Sequence, residues 1–199
     1  MIVAVEDVLS EAVVRKIVST VRPDAVVTAA LGLKGKGYLK NKAPELNRTA
    51  SAVPVFVLVD QDSPSLCPAG IAADWFGGEL QPNMVFRVAV MEVESWVLAH
   101  RTGCAALLSI AEERIPQNPD QIVQPKEFIV NLARRSRSKR VRDEFVPAPG
   151  STAGVGPAYN LRLAEFVEKE WSPVVAADAS PSLQRTIRRL RSHNMERAG

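Results

Sequence analysis

The apolar residues of this chain alternate between short β-branched runs and stripes recurring every three to four positions, and that alternation predicts an α/β arrangement. Ile2 to Val5 is a short extended run that meets Glu6. It precedes an amphipathic helix, Leu9 to Val21, in which Leu9, Val13, Ile17 and Val21 form one stripe and Asp7 and Ser10 offer capping oxygens. Pro23 and Asp24 end that helix. Ala25 to Ala30 reads as a second strand entering a glycine-rich basic loop, Gly32 to Gly37, and Tyr38 to Ala52 reads as a helix interrupted by Pro44. The longest strand signal is Val53 to Asp62, VPVFVLVDQD, a mostly β-branched run that ends in two aspartates. Ser63 to Gly78 predicts a loop with one short helix, Val85 to Met91 another strand, and Glu92 to Arg101 a helix that opens on acids and turns Trp96 and Leu98 inward.

Beyond residue 103 the strand signals stop. Pro116, Pro119 and Pro125 break the chain, and Lys126 to Arg135 then predicts a helix running into RRSRSKRVR. Pro147 to Pro157 reads as a linker, and Asn160 to Trp171 and Ser182 to Arg191 as the last two helices, the latter capped by SPS. The expected fold class is therefore α/β, a mainly parallel sheet of about four strands flanked by helices over residues 1–102, with a helical region over 103–199.

Composition adds a core and a compartment. Of the 199 residues 46% are hydrophobic, enough for a sizeable core, and Cys67 and Cys104 stand alone, so neither a disulfide framework nor a zinc site is expected. No signal-peptide pattern and no long apolar window occurs, so the expected setting is a reducing cytoplasm without a membrane span. Net charge is only +3, but the bases are clustered. One group holds Lys34, Lys36, Lys40, Lys42 and Arg48; a second holds Arg134, Arg135, Arg137, Lys139, Arg140 and Arg142; a third holds Arg185, Arg188, Arg189 and Arg191. Such clustering suits a polyanionic partner, nucleic acid above all, with Lys34, Lys36, Lys40, Arg134, Arg135, Arg137, Lys139 and Arg140 as the expected contacts. A homo-oligomer is also compatible with the pattern.

The acids carry the chemistry. Three predicted strands end on carboxylates: Glu6 after the first, Asp60 and Asp62 after the central one, Glu92 and Glu94 after the next. If those strands are parallel neighbours, the acids meet at one sheet edge, where open α/β sheets place their ligands. Two residues apart on an extended segment, Asp60 and Asp62 point to one side and Gln61 to the other. Self-repelling hard oxygens call for a divalent cation, Mg2+ or Mn2+, and hence for phosphodiester chemistry. Glu11 is either a ligand or an acid placed for the helix dipole, and Asp7 suits a cap. The rival sites are weaker: the glycine loop lacks the G-K-[ST] ending of a P-loop, His100 and His193 lack partners, no serine sits in G-x-S-x-G, and Trp75, Trp96 and Trp171 suit a core.

The unit of strand, Glu6 and helix, followed by a strand ending in Asp60-Gln61-Asp62, resembles the TOPRIM domain of topoisomerases, primases and overcoming-lysogenization-defect type nucleases. VEDVLSE at 5–11 looks like that family's Glu-Gly-x-x-(Ser/Thr)-(Glu/Asp) signature, with Asp7 where glycine is usual. MEVESW at 91–96 and SPSLQR at 180–185 are similar to a small TOPRIM-related bacterial family found beside ATPases in defence or mobile-element neighbourhoods. The resemblance covers about the first hundred residues and the rest more loosely. It implies a Mg2+- or Mn2+-dependent nuclease in which Glu6 is the general base or a ligand, Asp60 and Asp62 are the principal ligands, and Glu11 and Glu92 belong to a second metal position. It also implies an ATPase subunit as a partner. Lys34, Lys36 and Arg87 are candidates for the cation that steadies the transition state. The alternative is a non-catalytic accessory subunit that binds nucleic acid or an ATPase.

Overall fold

The computed structural model describes residues 1–192, so the expectation for His193 lies outside the described residues. Four strands, β1 (Ile2–Val5), β2 (Ala29–Gly32), β3 (Val55–Asp60) and β4 (Met84–Ala89), form one sheet in the order β2-β1-β3-β4, with every neighbouring pair parallel. All six residues of β3 are buried, as a central parallel strand covered on both faces requires. The crossovers are α1 (Val8–Val21), α2 (Lys36–Thr49) and α3 (Pro68–Phe76). Alternation assigns the faces: Val3, Val5, Phe56, Leu58, Val85 and Ala89 join the cluster containing α1, whereas Val55, Val57, Val59, Phe86 and Val88 join the one containing α2 and α3.

That division decides where a ligand can sit. The chain leaves β1 toward α1 on one face and leaves the adjacent β3 toward α3 on the other. The two exits diverge, and a crevice opens beyond the carboxyl ends of β1 and β3, the topological switch point of an open parallel sheet.

Seven further helices follow: α4 (Glu94–Leu98), α5 (Arg101–Leu108), α6 (Pro125–Arg134), α7 (Lys139–Phe145), α8 (Tyr159–Lys169), α9 (Pro173–Ala179) and α10 (Pro181–Ser192). They share the apolar cluster of the α1 face, which runs from Val3 to Leu190 and is anchored by fully buried Trp96 and Trp171. The Trp96 indole N–H donates to Ser182 Oγ at 2.6 Å and that of Trp171 to the Trp96 carbonyl at 3.2 Å, so both buried donors are satisfied. No helix among the described residues is long and apolar enough to cross a membrane.

Several boundaries differ from the sequence pattern for tertiary reasons. The second strand begins at Ala29 rather than Ala25, because β1 starts only at Ile2; Thr28 N–H already reaches the Met1 carbonyl, and Val26 is left exposed. Pro44 does not interrupt α2. It lies on the solvent side, while Leu39, Ala43 and Leu46 hold the opposite side in the core. The helix expected over Glu92–Arg101 is two, broken at His100. The basic run is cut at Ser138, whose hydroxyl caps α7 by accepting from Val141 N–H. Residues 147–157 form neither helix nor strand, as a linker pattern predicts. The α9 helix was missed, although Ser172 as cap and Pro173 in the first turn were signals for it.

Candidate acidic site at the sheet edge

The end of β1 places Glu6 in the switch-point crevice, where its Oε1 accepts from the Asp60 backbone N–H at 2.9 Å. Residues 54 positions apart are thus joined at the tips of adjacent strands. Asp7 caps α1, its Oδ1 accepting from Ser10 N–H at 2.8 Å, so the start of the helix is fixed one residue after Glu6. The glycine-rich loop closes against the same point. Leu33 N–H donates to the Val5 carbonyl and Gly35 N–H to that of Glu6, both at 3.1 Å. Gly32 adopts φ +106°, and a Cβ there would lie 2.1 Å from the Val5 oxygen, so only glycine permits this approach.

The loop thereby starts α2 beside the acids and delivers Lys36. Its Nζ donates to the Asp60 carbonyl and, at 2.6 Å, to Asp62 Oδ2. Here the i, i+2 expectation for the aspartate pair is corrected. Regular strand ends at Asp60, and Asp62 takes φ +64°, so the extended backbone on which that expectation rests stops before Asp62. Asp60 is buried, with Oδ1 accepting from Val93 N–H at 2.8 Å, whereas the Asp62 side chain is 52% exposed. Gln61 turns inward and braces the strand ends: its Oε1 accepts from Met91 N–H at 3.2 Å, and its amide donates to the Leu66 carbonyl.

The third strand end contributes Glu92 and Glu94. Glu94 is only 2% exposed, and its Oε1 lies 3.6 Å from Lys126 Nζ and 3.4 Å from the Tyr159 hydroxyl, which donates to it. Glu92 Oε2 accepts from the Lys126 backbone N–H at 2.8 Å. Lys126 and Tyr159 come from the helical part of the chain and escaped sequence reasoning. The first residue of α6 after Pro125 and an aromatic next to a linker carry no local mark of chemistry.

Electrostatics tie these groups together. Burial raises the Asp60 carboxyl well above its ordinary range, and Glu94, Glu6, Asp7 and Asp62 add to the rise by repulsion. Burial likewise raises Glu94 to about 7, against the pull of Lys126 and with the push of Glu92. Glu6 is raised by burial, partly offset by its bond from Asp60 N–H, and further raised by Asp62. Tyr159 is raised by burial and by Glu94. The carboxylates therefore feel one another across the crevice without enough cation to balance them.

Two lysines stand among the acids. Lys36 bonds Asp62 and the Asp60 carbonyl, Lys126 lies beside Glu94 and donates its backbone N–H to Glu92, and the Asp60 carboxyl feels Glu94 more strongly than Glu6. Among the described residues no three His, Cys, Asp or Glu side chains close into one ready-made cage. A hard cation such as Mg2+ usually keeps several waters and takes one or two carboxylates, so an all-oxygen donor set of this kind fits it. Glu11 stands apart from this group: its Oε1 meets Arg15 Nε at 2.7 Å one turn along α1.

The bases are spread more widely than the acids. Lys40 pairs with Asp74 at 2.6 Å and Lys34 lies over the Tyr38 ring at 5.2 Å. Lys139 and Arg140 make i, i+4 pairs with Asp143 and Glu144, both at 2.8 Å, while Arg134, Arg135 and Arg137 are exposed. His100 accepts from Ser172 N–H at 3.2 Å and stacks on Phe166, a packing role. The chain matches no protein-family model, no curated protein and no solved structure.

Proposed function

We propose that this chain is a Mg2+- or Mn2+-dependent nuclease that hydrolyses phosphodiester bonds, a TOPRIM-related protein of the bacterial cytoplasm working in a defence or mobile-element setting. The observation that carries the reading is the 2.9 Å bond between Glu6 and the Asp60 backbone. It ties the Glu6 side chain to the backbone at Asp60, and the raised carboxyls of both residues, through burial and repulsion from neighbouring acids, support a cation there. Asp60 and Glu6 would hold the cation, with Asp62 and Glu94 beside them. Bound there, it would polarise a phosphoryl oxygen and make a coordinated water more acidic.

The remaining work falls to the chain's own groups. Where it is not itself a ligand, Glu6, whose carboxyl burial raises, accepts a proton from the attacking water. Lys36, held between the Asp60 carbonyl and Asp62, presents a cation at the same edge for the phosphate. Lys126 and Tyr159 hold Glu94 in place. The exposed bases Lys34, Lys40, Arg134, Arg135 and Arg137 track the polyanion.

The test is digestion of plasmid, single-stranded DNA and tRNA by purified protein in Mn2+, with a chelator control. Cleavage is expected only with metal, and Asp60→Asn and Glu6→Gln are expected to lose at least 100-fold of it, an order-of-magnitude loss for a positioned catalytic group. Metal-independent cleavage, or full activity in both variants, would reject the reading. A second reading, an accessory subunit that binds nucleic acid or an ATPase, is favoured by one observation: among the described residues no three acids close into a ready-made cage. Absence of cleavage on all three substrates, with metal-independent retention of nucleic acid, would select it.

A further inference from the structure

The strand β4 carries one charged side chain, and it lies on the sheet face that α10 covers. Arg87 sits in the middle of β4, an edge strand, in register with Leu58, and alternation places it on the same face as Val85 and Ala89. Its Nε is buried and has no hydrogen-bond partner. A buried guanidinium N–H without an acceptor is rare, because water is lost and nothing replaces it. The α10 helix packs against β4 through Leu183, Ile187 and Leu190, which are buried, and leaves Arg185 and Arg189, one turn apart, exposed. Those two are the charges that Arg87 feels most, and both are positive. Among the described residues none of the three lies within ion-pair distance of a carboxylate, whereas Arg15, Arg22, Arg101, Arg140 and Arg162 each do.

We infer that Arg87, Arg185 and Arg189 form an anion site whose ligand is a phosphate group. Three guanidiniums that repel one another and lack an acid are stabilised by an anion that accepts from all of them. Each guanidinium presents a planar fork of donors, and a phosphate offers three or more oxygens around one centre, where a carboxylate offers two. The unfilled Nε of Arg87 supplies the inner donor, and Arg185 and Arg189 close over the outer side from one helix turn. The phosphate is either a free phosphoryl group or part of a polynucleotide backbone. The site involves none of the acids and needs no divalent cation, so it stands or falls independently of the nuclease reading.

The experiment uses the full chain in chelator, with thermal unfolding followed in low-millimolar inorganic phosphate and in chloride of equal ionic strength. Phosphate is expected to raise the Tm of the unaltered protein more than chloride does, and the Arg185→Ala/Arg189→Ala double variant is expected to lose that difference. Both side chains are exposed, so the variant folds, and without phosphate it is at least as stable as the unaltered protein because like-charge repulsion is relieved. Arg87→Lys, which keeps the charge but not the fork, is expected to weaken the response. An equal response in the double variant, or no excess over chloride in the unaltered protein, overturns the site. A second arm separates the sources by measuring affinity for a single-stranded oligonucleotide against salt. A fall of about 0.7 in the log–log slope of the double variant, the value for one phosphate on a single strand, assigns the phosphate to a polynucleotide. An unchanged slope with the phosphate response lost assigns it to a small phosphoryl compound.

Discussion

Replacing Glu94 by glutamine isolates the electrostatic tension of the acidic site. Glu94 is buried and its carboxyl is raised from 4.5 to about 7, chiefly by that burial, with Lys126 opposing the rise. Because the folded-state value lies above the unfolded one, the folded protein keeps a proton that the unfolded chain releases between those two values. The associated stability is fully present below pH 4.5 and lost as pH rises through about 7. At about 1.4 kcal/mol per pKa unit the whole effect is about 3 kcal/mol, most of which falls between pH 5 and pH 8. Glutamine has a similar shape and does not titrate. The Glu94→Gln variant is therefore expected to gain about 2 to 3 kcal/mol relative to the unaltered protein on going from pH 5 to pH 8. Urea unfolding of both proteins in chelator at the two pH values measures this directly, with the m-value as a check that the unfolded state is unchanged. If the two proteins show parallel pH dependence, Glu94 does not hold its proton in the fold, and the account of unbalanced charge at the sheet edge is wrong.

Other outcomes follow from neighbouring contacts. Lys126→Met leaves Glu94 without its cation and should cost about 1 to 2 kcal/mol above pH 7, where Glu94 is ionised, and little at pH 5; the half-exposed ammonium keeps the figure low. Gly32→Ala drives a Cβ to 2.1 Å from the Val5 oxygen at φ +106°, and chemical denaturation should register a loss of about 2 to 4 kcal/mol. At pH 8, Mg2+ should raise the Tm of the unaltered protein by balancing the raised carboxyls, and the shift should shrink in Asp60→Asn; equal shifts would place the metal elsewhere. Ser182→Ala strands the buried Trp96 indole N–H and should cost about 1 to 3 kcal/mol, read by denaturation.

Much of the α/β architecture could be read from short-range pattern. A parallel central strand is buried on both faces, so β3 announced itself as an unbroken apolar run, and α1 as a stripe behind a capping aspartate. The recurrence of acids after β1, β3 and β4 depends only on where strands end, and it located Glu6 beside Asp60. The i, i+2 rule failed at Asp62 because it holds only while the chain stays extended, and the left-handed turn at Asp62 lies just past the last ladder residue. Glu11, on the helix that follows Glu6, pairs with its i+4 neighbour Arg15.

The sequence by itself determined the succession of strands and of most helices, and which strand ends bear carboxylates, because hydrophobic period and capping act over a few residues. Only the tertiary structure decided that Lys36 would lie among the acids, that Lys126 and Tyr159 would reach Glu94 from the helical tail, and that Arg87 would meet Arg185 and Arg189. Those meetings depend on how helices distant in the chain settle over the sheet, and the burial that perturbs each charged group exists only once they have.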